Sequence, residues 1–176
     1  ADSAAYFLSD SMINLYKNPI LWTAENQISS DSIRIFLTET SIRQMDLIRN
    51  AFMISTDSIG NHNQMKGRLM NVYFAQNNIN YIDINGNCES IFHFLDETDT
   101  MLLGINKLIT SNMTIRFEQN EIKNFTIYKN PEGRFIPPHE ITEADKTLNG
   151  FNWIGDQRPT LQDIYIKPQP VTPNES

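Results

Sequence analysis

The sequence predicts an all-β protein built of stacked antiparallel β-hairpin repeats, and three observations carry that reading. An alternating apolar pattern recurs three times, a polar turn-forming stretch divides each copy, and no helical period persists before residue 138. Side chains alternate faces along a strand, so Met113-Thr114-Ile115-Arg116-Phe117 reads as a strand with one apolar face. Glu118 to Glu121 then reads as a polar turn, and Ile122, Phe125 and Ile127 mark the returning strand.

The same unit is found upstream. With Ile122 as a pivot, Ile42 and Ile79 occupy the equivalent positions, 37 and then 43 residues apart. Five residues before the pivots stand Leu37, Phe74 and Phe117; seven before, Ile35, Val72 and Ile115; nine before, Ile33, Met70 and Met113. Three after come Met45, Ile82 and Phe125, and five after, Leu47, Ile84 and Ile127. All eighteen positions are large and apolar, which points to a stacked repeat architecture. Eight after each pivot an asparagine recurs, as Asn50, Asn87 and Asn130. Asparagine tolerates the left-handed backbone and bonds its own chain, so these positions read as corners where strands turn; Gly86 suits the same demand.

A degenerate fourth copy opens the chain. Tyr16-Lys17-Asn18-Pro19 repeats Tyr128-Lys129-Asn130-Pro131, with Ile13 and Leu15 at the offsets of Phe125 and Ile127 and Asp10 at the pivot. Such a partial match suits a capping repeat. Between copies, Ala51-Phe52-Met53-Ile54 and Cys88 to Leu95 read as extended returns, with turns at 57–63 and 96–100.

The character changes after Asn130. Pro131, Pro137 and Pro138 lack the amide donor a ladder needs, so a β domain over 1–130 gives way to a proline-rich extension over 131–176. Thr142-Glu143-Ala144-Asp145 predicts a capped short helix running to about Leu148 and stopped by Gly150. Phe151 and Trp153 are expected to fold back over one end of the sheet, and Pro168, Pro170 and Pro173 mark a loose tail.

At 176 residues the chain is long enough for a real core. Its net charge of -7 argues against nucleic acid as a partner and against recruitment to an anionic membrane by charge alone. Cys88 is the lone cysteine, and no apolar run approaches the ~18 residues a membrane helix needs. With neither initiator Met nor signal peptide, Ala1 reads as a processed or trimmed start.

Signals for catalysis and cofactors are absent. His62, His93 and His139 are too scattered for a metal site, and His93 between Phe92 and Phe94 reads as a locally satisfied histidine. Asp96-Glu97-Thr98-Asp99 lacks the residue order of a calcium loop and reads as a solvated turn. Cys88 occupies the repeat position of Ala51, a small structural residue, and no phosphate-binding or nucleophile-elbow pattern is present. The sequons at Asn112 and Asn124 fall on predicted strands. No enzyme, no metal and no cofactor are expected.

The pattern Met70-Asn71-Val72-Tyr73-Phe74 through Ile79, Ile82, Ile84, Gly86 and Asn87 resembles the OstA-like (organic solvent tolerance) family of lipopolysaccharide-transport proteins. The resemblance covers roughly residues 3–130, and Phe135-Ile136-Pro137-Pro138-His139-Glu140 with Gly150-Phe151-Asn152-Trp153 looks like the ending of a divergent branch. Arg49 and Lys129 stand where the copy pivoted on Ile79 has Gly86. The resemblance implies an open, twisted, taco-like β-jellyroll in the periplasm, associated with outer-membrane biogenesis. It also implies a groove lined by the eighteen repeat positions that holds acyl chains of lipopolysaccharide or lipid A. The acidic balance repels anionic head groups, so local cations such as Arg34, Lys66, Arg68 and Arg116 are expected to help only at the rim of such a groove. Units of this kind stack end to end by sheet edges, on other bridge proteins or on themselves. The repeat alone fits a closed core as well as a groove, and a β-scaffold that docks proteins by sheet-edge pairing without lipid stands as the other reading.

Overall fold

Four strands in this chain run from 14 to 18 residues, far beyond the usual five or six. A computed structural model describes residues 1, 3–23, 26–76, 78–118, 121–129 and 131–160. The strands are β1 (Ser3–Phe7), β2 (Met12–Tyr16), β3 (Ile20–Trp22), β4 (Asn26–Ser29), β5 (Ser32–Leu37) and β6 (Ile42–Thr56). They continue with β7 (His62–Ala75), β8 (Asn78–Leu95), β9 (Leu102–Glu118), β10 (Glu121–Tyr128) and β11 (Glu132–Ile136). All pairings are antiparallel, in the order β1-β2-β5-β6-β7-β8-β9-β10, with β3 on β4, β4 on β6 and β11 on β9.

The repeat copies are hairpins. β5–β6, β7–β8 and β9–β10 pair Leu37 with Ile42, Phe74 with Ile79 and Phe117 with Ile122 across their ends, and β1–β2 is the degenerate fourth copy. The first turn is closed by Thr38 N–H donating to the Ser41 carbonyl at 2.8 Å. Asn77, Gln119 and Asn120 in the other two turns, the fourth corner's Asn130 and the prolines at 168, 170 and 173 lie outside the described residues.

The corners fall where the asparagines recur. Lys17, Asn18, Arg49, Asn50, Gly86, Asn87 and Lys129 all take φ between 50° and 79°. There β6 inserts two residues between Ile48 and Ala51 opposite one on β7, and β8 does the same between Asn85 and Cys88 opposite β9. The extra residue is a bulge, which bends the strand. Beyond it each long strand continues into a second layer that folds over the first, an open sheet and not a closed barrel.

The two layers face each other through apolar side chains. Ile33, Leu47, Met70, Ile84 and Met113 of the first pack with Ile28, Met53, Met65, Phe92 and Leu108 of the second. The outer face of the second layer is also apolar, and residues from Ile136 onward cover it: Phe52, Ile54, Ile91 and Ile105 pack with Leu148, Ile141, Phe151 and Trp153. Two buried glutamines fasten this covering segment. Gln64 donates to the Lys146 carbonyl at 2.8 Å and accepts from Leu148 N–H at 2.8 Å. Gln27 donates to the Asn152 carbonyl at 2.6 Å and accepts from Ile154 N–H at 3.0 Å.

Three features differ from the sequence reading. The short helix is a single 3-10 turn, Glu143–Asp145, although the capping box of Thr142 and Asp145 is present. It stops there because Gln64 takes the backbone groups of Lys146 and Leu148 that a longer helix needs. Residues Glu132–Ile136, between the prolines, form a strand on β9. The covering segment lies on a face of the second layer, because that face is apolar and otherwise unpaired.

Candidate functional site

Register carries the repeat positions across the first layer in two continuous rows. One runs Ile13, Ile35, Met45, Val72, Ile82, Ile115, Phe125; the other runs Leu15, Ile33, Leu47, Met70, Ile84, Met113, Ile127. Ten of the eighteen positions are buried: Ile33, Ile35, Met45, Leu47, Met70, Val72, Ile82, Ile84, Met113 and Ile115. Leu37, Phe74, Ile79, Phe117 and Phe125 are partly buried against the same cluster. The central rows therefore share one core cluster with side chains of the opposite layer.

Exposure rises toward the edges. Ile42 and Ile122 at the hairpin turns are 36% and 37% exposed, and Ile127 on the last strand is 38% exposed. At the β10 end the layers separate, leaving a cleft of about 440 Å³. Phe125 and Ile127 of β10 form one wall; Phe92, Phe94, Leu108 and Phe135 of β8, β9 and β11 form the other. Phe94 and Phe135 remain 46% and 52% exposed, and their rings meet edge to face at 6.3 Å. The Phe92 and Phe125 rings meet at 5.0 Å and 72°, where the cleft passes into the core. Gly104 leaves the space that the Phe135 ring fills. The Ser90 hydroxyl, buried in this lining, has no partner among the described residues.

The second wall is what sequence reasoning missed. Phe92 and Phe94 carried a signal, since Ser90, Phe92 and Phe94 alternate with Ile91 and His93, but both sets are apolar enough to hide which face is inward. The four cations expected at the rim lie elsewhere. Arg34 and Arg116 belong to the outer face of the first layer, Arg116 over the Tyr81 ring at 5.2 Å, and Lys66 and Arg68 sit at the corners. The strand alternation that turns Ile33, Ile35 and Ile115 inward turns Arg34 and Arg116 outward.

The acidic loop and the cysteine singled out in the sequence are both committed to structure. Among the described residues no three His, Cys, Asp or Glu converge. Asp96 spends one oxygen on the amides of Thr100 and Met101 and the other on the Thr98 hydroxyl, which holds its carboxyl at about 2. Cys88 is buried, and burial pushes its thiol up to about 11. A thiol so placed is expected to react with iodoacetamide only after denaturation, as mass spectrometry of native and unfolded samples would show.

His62 and His93 line a cavity of about 470 Å³ under the covering segment, with the His62 ring 4.8 Å from Trp153. Burial, the larger cause in each, lowers both imidazoles below the ordinary value; Asp57 opposes it, and His62 adds to the lowering of His93. The unfolded chain therefore binds these protons first as pH falls. Stability is expected to be full above 6.5, their unfolded value, and to decline as pH drops through it. Urea midpoints at about pH 8 and about pH 5.5 check the sign.

No protein-family model matches the sequence, and no curated protein sequence matches it. Among solved structures the chain is similar to LptH, the LptA-homologous periplasmic component of the conserved lipopolysaccharide transport device of Pseudomonas aeruginosa. The TM-score is 0.58 over 78% of this chain and 92% of that one, with 7% sequence identity. At that identity the likeness establishes the fold: an open antiparallel sheet in the LptA-like jellyroll form.

Proposed function

We propose that the chain is a non-enzymatic periplasmic module of lipopolysaccharide transport that holds acyl chains between its two layers. The observation that carries this reading is the apolar cleft at the β10 end, continuous through Phe92 and Phe125 with the interior rows. The fold shared with LptH supports it. A cleft of about 440 Å³ is of the size and apolar character of small-ligand sites. Lipid enters at Phe94, Ile127 and Phe135, and the eighteen repeat positions act as the deeper lining wherever the layers part. Met45, Met70 and Met113 suit that role because the methionine side chain adapts to variable shapes.

The chain's net charge of -7 leaves attraction to the acyl chains rather than to anionic head groups. End-to-end stacking on itself or on other bridge proteins follows from the edges, since β1 and β10 each pair on one side only among the described strands. Displacement of a fluorescent lipid A analogue by unlabelled lipopolysaccharide tests the reading. Saturable displacement is the expected result. A chain that binds no lipid yet captures a partner through β1 or β10 is the scaffold of sheet-edge pairing instead.

A further inference from the structure

Ser90 carries a hydroxyl that the fold does not use. Alternation along β8 puts it on the same face as Phe92 and Phe94, in the wall of the β10-end cleft. The residue is 1% exposed; its oxygen is closed to water and has no hydrogen-bond partner among the described residues. Ser30 and Thr110, also buried, both have partners: Ser30 donates to the Ser32 carbonyl at 2.7 Å, and Thr110 to the Tyr128 carbonyl at 2.9 Å. A buried hydroxyl left unpaired costs free energy that an alanine at the same place would avoid.

Asn106 is the other polar side chain of this wall. In register it stands between Phe92 of β8 and Phe135 of β11. Ser90 pairs with Leu108, and Asn106 lies two residues before Leu108 on the same face. The two polar side chains are therefore diagonal neighbours, with Cβ atoms roughly 7 Å apart. The rest of the lining is apolar and holds no charged group. Water does not reach the Ser90 hydroxyl, so a partner for it must arrive on a molecule that apolar walls admit.

We infer that the cleft selects an acyl chain bearing a hydroxyl along its length, seated between Ser90 and Asn106. The inference rests on the acyl-chain reading of the cleft and names which chain it takes. One hydroxyl accepts from the Ser90 O–H while donating to the Asn106 side-chain oxygen, and so uses both its capacities. A plain chain leaves Ser90 unpaired. A keto group only accepts, and so meets one of the two groups in that way. A carboxylate or phosphate at this depth would be a charge among phenylalanine rings with no cation beside it, which is costly.

The test titrates stearate and a series of hydroxystearates, with the hydroxyl moved along the chain, into the full-length protein. Their carboxylate end is common, so the net charge of -7 acts alike on all of them. One position in the series is expected to bind roughly threefold to tenfold more tightly than stearate, the effect of a neutral hydrogen bond made to an unpaired group. The keto analogue at that position is expected to gain less. Ser90→Ala is expected to bring the ratio of the two affinities to within about twofold of one. Its urea midpoint should be no lower than the parent's, because the substitution strands no partner. Asn106→Leu, which removes the second polar group at similar volume, is expected to lower the ratio as well. Stearate that fails to bind overturns the acyl-chain reading and this inference together. Stearate that binds as tightly as every hydroxystearate, a preference that survives Ser90→Ala, or a Ser90→Ala variant clearly less stable than the parent overturns this inference alone.

Discussion

Val72→Asp is expected to leave the chain unfolded at 25 °C. Val72 is buried at the centre of an interior row, paired across to Met45 and Ile82, with no cation among its register neighbours. A carboxylate placed there must be ionised in an apolar surrounding or protonated against its ordinary pKa, and either costs several kcal/mol. That is most of a typical domain's stability of roughly 5–15 kcal/mol. Far-UV circular dichroism and urea titration check it; a folded variant with parent-like stability would mean the layers part at Val72 and admit water. The gentler Met70→Ala is expected to fold with a loss of about 2–5 kcal/mol.

The next largest effect is expected from Gln64→Ala. The substitution strands the carbonyl of Lys146 and the N–H of Leu148 under the covering segment, and an unsatisfied buried group costs about 1–3 kcal/mol. A total loss of roughly 2–6 kcal/mol is expected from the two groups, with faster hydrogen exchange across residues 141–157. A loss below about 1 kcal/mol with unchanged exchange would mean that the apolar contacts of Leu148, Phe151 and Trp153 hold the segment alone.

The first layer was legible in the sequence because one of its faces is apolar and the other polar. Period-two alternation then fixes the inward set, and Leu37, Phe74 and Phe117 do share the inner face. The corners were legible from their asparagines, since few other residues accept the left-handed backbone. The strands of the second layer read as extended returns, but which of their faces turns inward was not legible, because both faces are buried. Ala51-Phe52-Met53-Ile54 is apolar throughout, with Met53 facing the interior and Phe52 and Ile54 facing the covering segment. No alternation survives in such a strand. β11 was hidden by its flanking prolines, though as an edge strand it leaves its outer side unpaired. The cleft depends on where the layers separate, a long-range property that spacing along the chain does not encode.

The central claim is that the β10-end cleft takes acyl chains, and Phe125→Ala tests it most directly. Phe125 is only partly buried, so its truncation should cost less than the ~3–5 kcal/mol of a fully buried ring. Unfolding free energy and affinity for a fluorescent lipid A analogue are to be measured on the same preparation. The account predicts a folded variant whose lipid affinity falls about tenfold or more, equivalent to about 1.4 kcal/mol of binding free energy. A folded Phe125→Ala with the parent's lipid affinity, or a parent that binds no lipid A, would contradict it.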